Sequence, residues 1–180
     1  MKTSRLLSTI AFAFMMLVSF NVDAQKFSGL DKSPLDLAAF PNRGADKKIK
    51  VFYSRPQLKG RTVGKELATY GELWRTGAND ATQIQFLSDA KFGDKTIKTG
   101  AYSLFTIPGE KEWTIILSSD VDNWATRGYK ESNEVARITV PATKGTESLE
   151  AFSITFEESK TGTIMHMGWD TVRVAVPFTF

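Results

Sequence analysis

From Gln83 to Phe178, polar and apolar side chains alternate in short runs separated by turn residues. Gln83-Ile84-Gln85-Phe86 alternates strictly. Ala101–Ile107 (AYSLFTI) and Glu112–Ser118 (EWTIILS) flank Pro108-Gly109-Glu110-Lys111, a hairpin loop. Val135–Val140 (VARITV) reads as a strand that stops before Pro141. Phe152, Ile154 and Phe156 share one face, with Ser153 and Thr155 on the other. Val172, Val174, Val176 and Phe178 repeat the pattern, with Arg173 and Ala175 facing away. Phe92–Lys95, Thr99-Gly100 and Lys160–Gly162 supply turns. Side chains of an extended chain point to opposite faces in succession, so each run has one face to hide from water. About nine such runs, with a turn every ~8–12 residues, predict an antiparallel sandwich or barrel.

No apolar repeat of helical period competes with this pattern after residue 24. A doubly wound α/β fold needs crossover helices, so it is excluded. The predicted fold is all-β, an antiparallel β-sandwich, with a jelly-roll-like connection as one form of it. At most one short helical turn is expected, over Lys65–Tyr70 before Gly71. Ile49–Ser54 (IKVFYS) is the first clear strand. Residues 25–48 hold Ser33-Pro34, Phe40-Pro41 and Asn42-Arg43-Gly44, signals of an extended N-terminal arm. Residues 49–180 then form one domain. With 13 phenylalanines and four tryptophans the chain has the side chains for a core, which must suffice alone because the chain has no cysteine.

The N-terminus carries a different signal. Lys2 and Arg5 precede an apolar run, Leu6–Phe20, followed by Val22-Asp23-Ala24. That order matches a secretory signal peptide over residues 1–24, cleaved near Ala24. The run is shorter than the ~20 residues a spanning helix requires. The expected location is the periplasm or the exterior, with no membrane attachment after cleavage. Removing Lys2, Arg5 and Asp23 lowers the formal charge of +3 by one. The remaining chain has no basic run, so nucleic acid is not an expected partner.

Composition also limits the chemistry. One histidine and no cysteine leave too few ligands for zinc, haem-thiolate or iron–sulfur sites. No metal or other cofactor is expected. A catalytic triad would have to use His166, which lies among apolar neighbours without a G-x-S-x-G elbow. Gly60–Glu66 (GRTVGKE) is one residue short of a phosphate loop, and Glu66 stands where Ser or Thr would hold magnesium. Asp120-Val121-Asp122-Asn123 lacks the EF-hand spacing and reads as a polar turn. No spacing selects a pair of carboxylates for glycoside hydrolysis.

What remains is an arginine and aromatic constellation between Tyr53 and Asp80. Arg55, Arg61 and Arg75 offer planar forks for carboxylates, phosphates or sugar hydroxyls. Trp74, Trp124 and Trp169 offer faces for stacking. With Asn79 and Asp80, the set Arg55, Arg61, Trp74, Arg75 and Trp169 fits a pocket for a small anionic or sugar-like ligand. The same residues also fit a plainer role. Gly71–Asp80 (GELWRTGAND) pins a long loop if its arginines pair internally, Asn79 and Asp80 cap a turn and Gly77 adopts positive φ.

Four stretches carry a resemblance: YSRPQLKGR (Tyr53–Arg61), YGELWRTGANDATQIQF (Tyr70–Phe86), KTGAYSLFTIPGEKEWTIIL (Lys98–Leu117) and MGWDTVRVAVPF (Met167–Phe178). In order and without a large gap, they resemble domain of unknown function twenty-nine eleven, a family of exported bacterial proteins. WRTGAN and YSLFTIPG are its specific blocks. The resemblance implies a single, mostly-β exported domain and assigns no activity or catalytic residue. Three readings of function follow. The first is a non-catalytic binding module for a small anionic or carbohydrate ligand. The others are a hydrolase using carboxylates or His166, and an envelope protein–protein interaction domain.

Overall fold

The computed structural model describes residues 25–180. The expected signal segment, residues 1–24, lies outside the described residues. The chain divides into two units, Met1–Leu30 and Asp31–Phe180. Residues 25–30 carry no strand or helix. Residues 31–180 form nine strands: β1 Leu35–Phe40, β2 Ile49–Ser54, β3 Ala78–Phe86, β4 Ala90–Phe92, β5 Lys95–Ile97, β6 Gly100–Ile107, β7 Glu112–Ser118, β8 Glu134–Ser159 and β9 Gly162–Thr179. The architecture is all-β and sandwich-like. All strand pairs are antiparallel, in the order β1-β2-β3-β6-β7-β8-β9-β4-β5. This is a meander interrupted once, where the β4–β5 hairpin joins the far side of β9.

The two longest strands make the sandwich possible. β8 pairs with β7 through Glu134–Pro141, then with β9 from Ala142 onwards, with register shifts around Leu149. One strand therefore serves both layers, and its irregularities let it turn from one to the other. The expected stop at Pro141 does not occur. Pro141 stands opposite Glu112, the first residue of β7, at the end of that ladder, where a missing N–H costs least. The expected helical turn over Lys65–Tyr70 is also absent. That segment is a compact turn bridging Val63 to Leu67, and the helical turn among the described residues is a 3-10 turn at Glu131–Asn133. Within the expected arm, residues 35–40 pair fully with β2 as the edge strand β1.

The core lies between the layers. Ile49, Val51, Ile84, Phe86, Leu104, Ile115 and Leu117 come from one side, and Phe152, Met165, Met167, Val174, Val176 and Phe178 from the other. At one end, Tyr53, Trp74, Trp113, Phe152 and Trp169 form an aromatic cluster. Beyond β2 the chain crosses to the second layer. Leu58 donates its N–H to the Glu150 carbonyl at 2.8 Å, and Phe152 donates to the Pro56 carbonyl at 2.9 Å. β6 and β7 are buried on both faces. Phe105 and Ile116 point away from the main core and are closed over by residues 119–133, with Tyr129 edge-on to Phe105 at 5.2 Å.

Candidate functional site

The stretch Gly71–Asp80 is sewn to β6. Trp74 and Thr106 exchange both backbone hydrogen bonds, at 2.7 and 2.9 Å. Thr82 donates its backbone N–H to the Arg75 carbonyl and its hydroxyl to the Thr76 carbonyl. Gly77 does not have positive φ; Thr76 (55°) and Asn79 (59°) do. The glycine is required by space instead. A Cβ at residue 77 would sit 2.9 Å from the Thr82 hydroxyl and 3.0 Å from the Ser54 carbonyl. A β-branched residue at positive φ is held there by its surroundings, and such strain collects at functional sites.

Five of the expected site residues meet. Arg61, Trp74, Arg75, Asn79 and Trp169 line one hollow of about 400 Å³, together with Ser33, Glu66 and the Gly77-Ala78 backbone. Arg55 and Asp80 do not line it. Arg55 is a tie between layers: it donates to Asp36 (3.0 Å), the Phe152 carbonyl (3.0 Å) and the Ser153 hydroxyl (2.7 Å). Asp80 lines a separate hollow with Leu35, Phe52 and Asp122.

The tryptophans use their faces on one another. Trp74 and Trp169 stack at 5.6 Å and 16°, and both are buried, at 8% and 2% exposure. Their indole N–H groups donate to the Gly77 carbonyl (3.1 Å) and the Glu150 carbonyl (3.3 Å). They form the floor of the hollow and leave no open face for stacking a ring. Trp124, also considered for stacking, lies elsewhere, on the loop bridged to Asp80.

The charges of the hollow divide unevenly. Arg61 donates to the Leu58 and Gln57 carbonyls, at 3.1 and 2.9 Å. Glu66 accepts the Thr62 N–H at 2.9 Å, and this bond together with its own backbone N–H holds its carboxyl below the usual range. Asn79 donates to Asp31 at 3.1 Å. Asp31 is held low by the Ser33 N–H and then by Asn79. Arg75 stands apart. Its Nε is buried without a hydrogen-bond partner, and among the described residues no carboxylate forms an ion pair with it. Burial alone pushes its guanidinium below the ordinary arginine value. A half-buried cation with an empty fork is a ready binding group for an anion.

Ser33 and Glu66 were not among the expected site residues. The four-residue step from Thr62 to Glu66 hints at a local carboxylate–backbone bond. Nothing in the sequence announces Ser33, which only tertiary packing brings near Asn79. His166 does not line the hollow: it sits on β9, opposite Thr155, with Nε2 2.8 Å from the exposed Glu157 carboxylate. Among the described residues, no three His, Cys, Asp or Glu gather as a metal site.

No curated protein and no solved structure matches the chain. A family model described as "Protein of unknown function (DUF2911)" matches residues 34–178. That span runs from just before β1 to one residue short of the end of β9 and takes in the hollow, apart from Ser33. The chain therefore belongs to the DUF2911 family of proteins of unknown function.

Proposed function

We propose that this protein is an exported, non-catalytic binding module whose hollow takes a small anionic ligand through Arg75. The observation that carries this reading is the desolvated Arg75 guanidinium without a counter-charge. Desolvating a charge without a partner costs free energy, so an anion that enters relieves a penalty already present. The polar rim of Ser33, Asn79 and Arg61 suits a carboxylate with neighbouring hydroxyls, as on an acidic sugar. A neutral sugar would leave the charge uncompensated.

The Glu66 carboxyl, held below its usual range, is ionised at neutral pH and has no proton to donate as a general acid. Thermal-shift and calorimetric titrations with acetate, phosphate, glucuronate and glucose test the reading. Glucuronate is expected to bind more tightly than glucose, and Arg75→Gln to abolish that preference while the fold survives. Equal binding of both sugars, or an unchanged response in Arg75→Gln, overturns it.

A further inference from the structure

The outer face of the first layer is only half covered. Residues 119–133 close over β6 and β7, and their cover ends beside β3, where Ala81 donates to the Asn123 carbonyl and Ala125 to the Asn79 carbonyl. Beyond that edge, the outer side chains of β1 are exposed at Leu35 and Leu37, and those of β2, Lys50 and Phe52, are half-buried. Leu37 lies directly opposite Phe52, so the two share a face, and Leu35 follows two residues away. Leu35 and Leu37 are 71% and 49% exposed, and Trp124 at the loop edge is 55% exposed. Between strands and loop lies a hollow of about 330 Å³, lined by Leu35, Phe52, Asp80, Ala81, Gln83 and Asp122.

Two carboxylates without ion pairs stand over this apolar floor. Neither Asp80 nor Asp122 forms an ion pair among the described residues. The nearby Asp36 and Asp31 are occupied, by Arg55 and by Ser33 and Asn79. We propose that this face docks a partner protein through an extended segment that sets a lysine or arginine beside an apolar side chain. The cation meets Asp80 and Asp122, its alkyl stem lies on Phe52 and Leu35, and the apolar neighbour covers Leu37. Charge complementarity selects this occupant, since a long basic side chain buries an apolar stem while its head stays with the carboxylates. The site shares no lining residue with the Arg75 hollow, so the two stand or fall separately.

Trp124 is the natural reporter, because Trp74, Trp113 and Trp169 are buried. The probes are short capped peptides alternating valine with lysine, the same peptides with glutamate in place of lysine, and butylamine alone. The lysine peptide is expected to protect Trp124 from acrylamide quenching saturably, and less well at high salt. The variant D80N/D122N should weaken it roughly tenfold, as the loss of two surface charge pairs implies. Both positions are exposed, and asparagine tolerates the positive φ of residue 122, so the variant keeps its fold. Equal protection by the glutamate peptide, or unchanged affinity in D80N/D122N, overturns the proposal. Butylamine binding as tightly as the peptide would make the hollow a small-amine site and also overturn it. Concentration-dependent dimerisation that shields Trp124 would assign the face to a second copy and do the same.

Discussion

At the scale of single residues, two arginines from one stretch of sequence have opposite fates. Arg55 is satisfied by a carboxylate, a carbonyl and a hydroxyl; Arg75 is half-buried without a counter-charge. Arg55→Ala is expected to cost about 2 kcal/mol, because it leaves partners of a charged hydrogen-bond donor unsatisfied. Arg75→Met is expected to stabilise the ligand-free protein by about 1 kcal/mol, since an apolar side chain of similar length suits a desolvated place better than an unpaired charge. Urea unfolding of both variants checks the contrast, and a large loss from Arg75→Met would mean that the guanidinium pins the loop.

Tyr129 offers a titration. Burial, then its hydrogen bond to Glu134, pushes its hydroxyl up to about 12 from 10.0. The folded state thus holds a proton that the unfolded chain gives up near pH 10. The stabilisation is complete below the unfolded value and is lost as pH rises through about 12. Unfolding measured across that window should show stability falling, and Tyr129→Phe should remove its share of the slope. A variant as steep as the parent would refute the assignment.

At the scale of elements, the loop of residues 119–133 is part of the packing. It seals Phe105 and Ile116, anchors Asn133 to Asp120 at 2.8 Å, and joins Tyr129 to the Glu134–Arg137 ion pair. The Phe105 ring packs edge-on against Tyr129 of this loop. Phe105→Ala should cost about 3 kcal/mol and open the loop. Limited trypsin digestion should then cut faster than in the parent at Arg127 or Lys130, both exposed in that loop. An unchanged rate at both would show that the loop keeps its place without the ring.

At the scale of the whole molecule, β8 belongs to both layers, and the aromatic cluster draws Trp74 from a loop, Trp113 from β7 and Phe152 and Trp169 from the second layer. Neither layer has a separate core. Tryptophan fluorescence and far-ultraviolet dichroism should report one coincident unfolding transition in urea. Two transitions would mean that the layers unfold independently. The pairing is also dominated by contacts distant in sequence, so folding on the millisecond-to-second scale is expected of this topology.

Alternation is a local property of the chain, and it determined the strands. The runs at Ala101–Ile107 and Glu112–Ser118 became β6 and β7, and the turns at Phe92–Lys95 and Lys160–Gly162 became hairpin ends. Where a local rule was read too literally, at Pro141, the strand continued because its neighbour ended there. The site was legible in part for the same reason. Trp74, Arg75 and Asn79 are close in sequence, but only the folded layers bring Arg61 and Trp169 to them and send Arg55 and Asp80 elsewhere. Periodicity tells each side chain which face it occupies. Which faces meet, whether two indoles turn toward a ligand or toward each other, and whether a guanidinium finds a carboxylate depend on register and on crossings between distant strands, which no short stretch encodes.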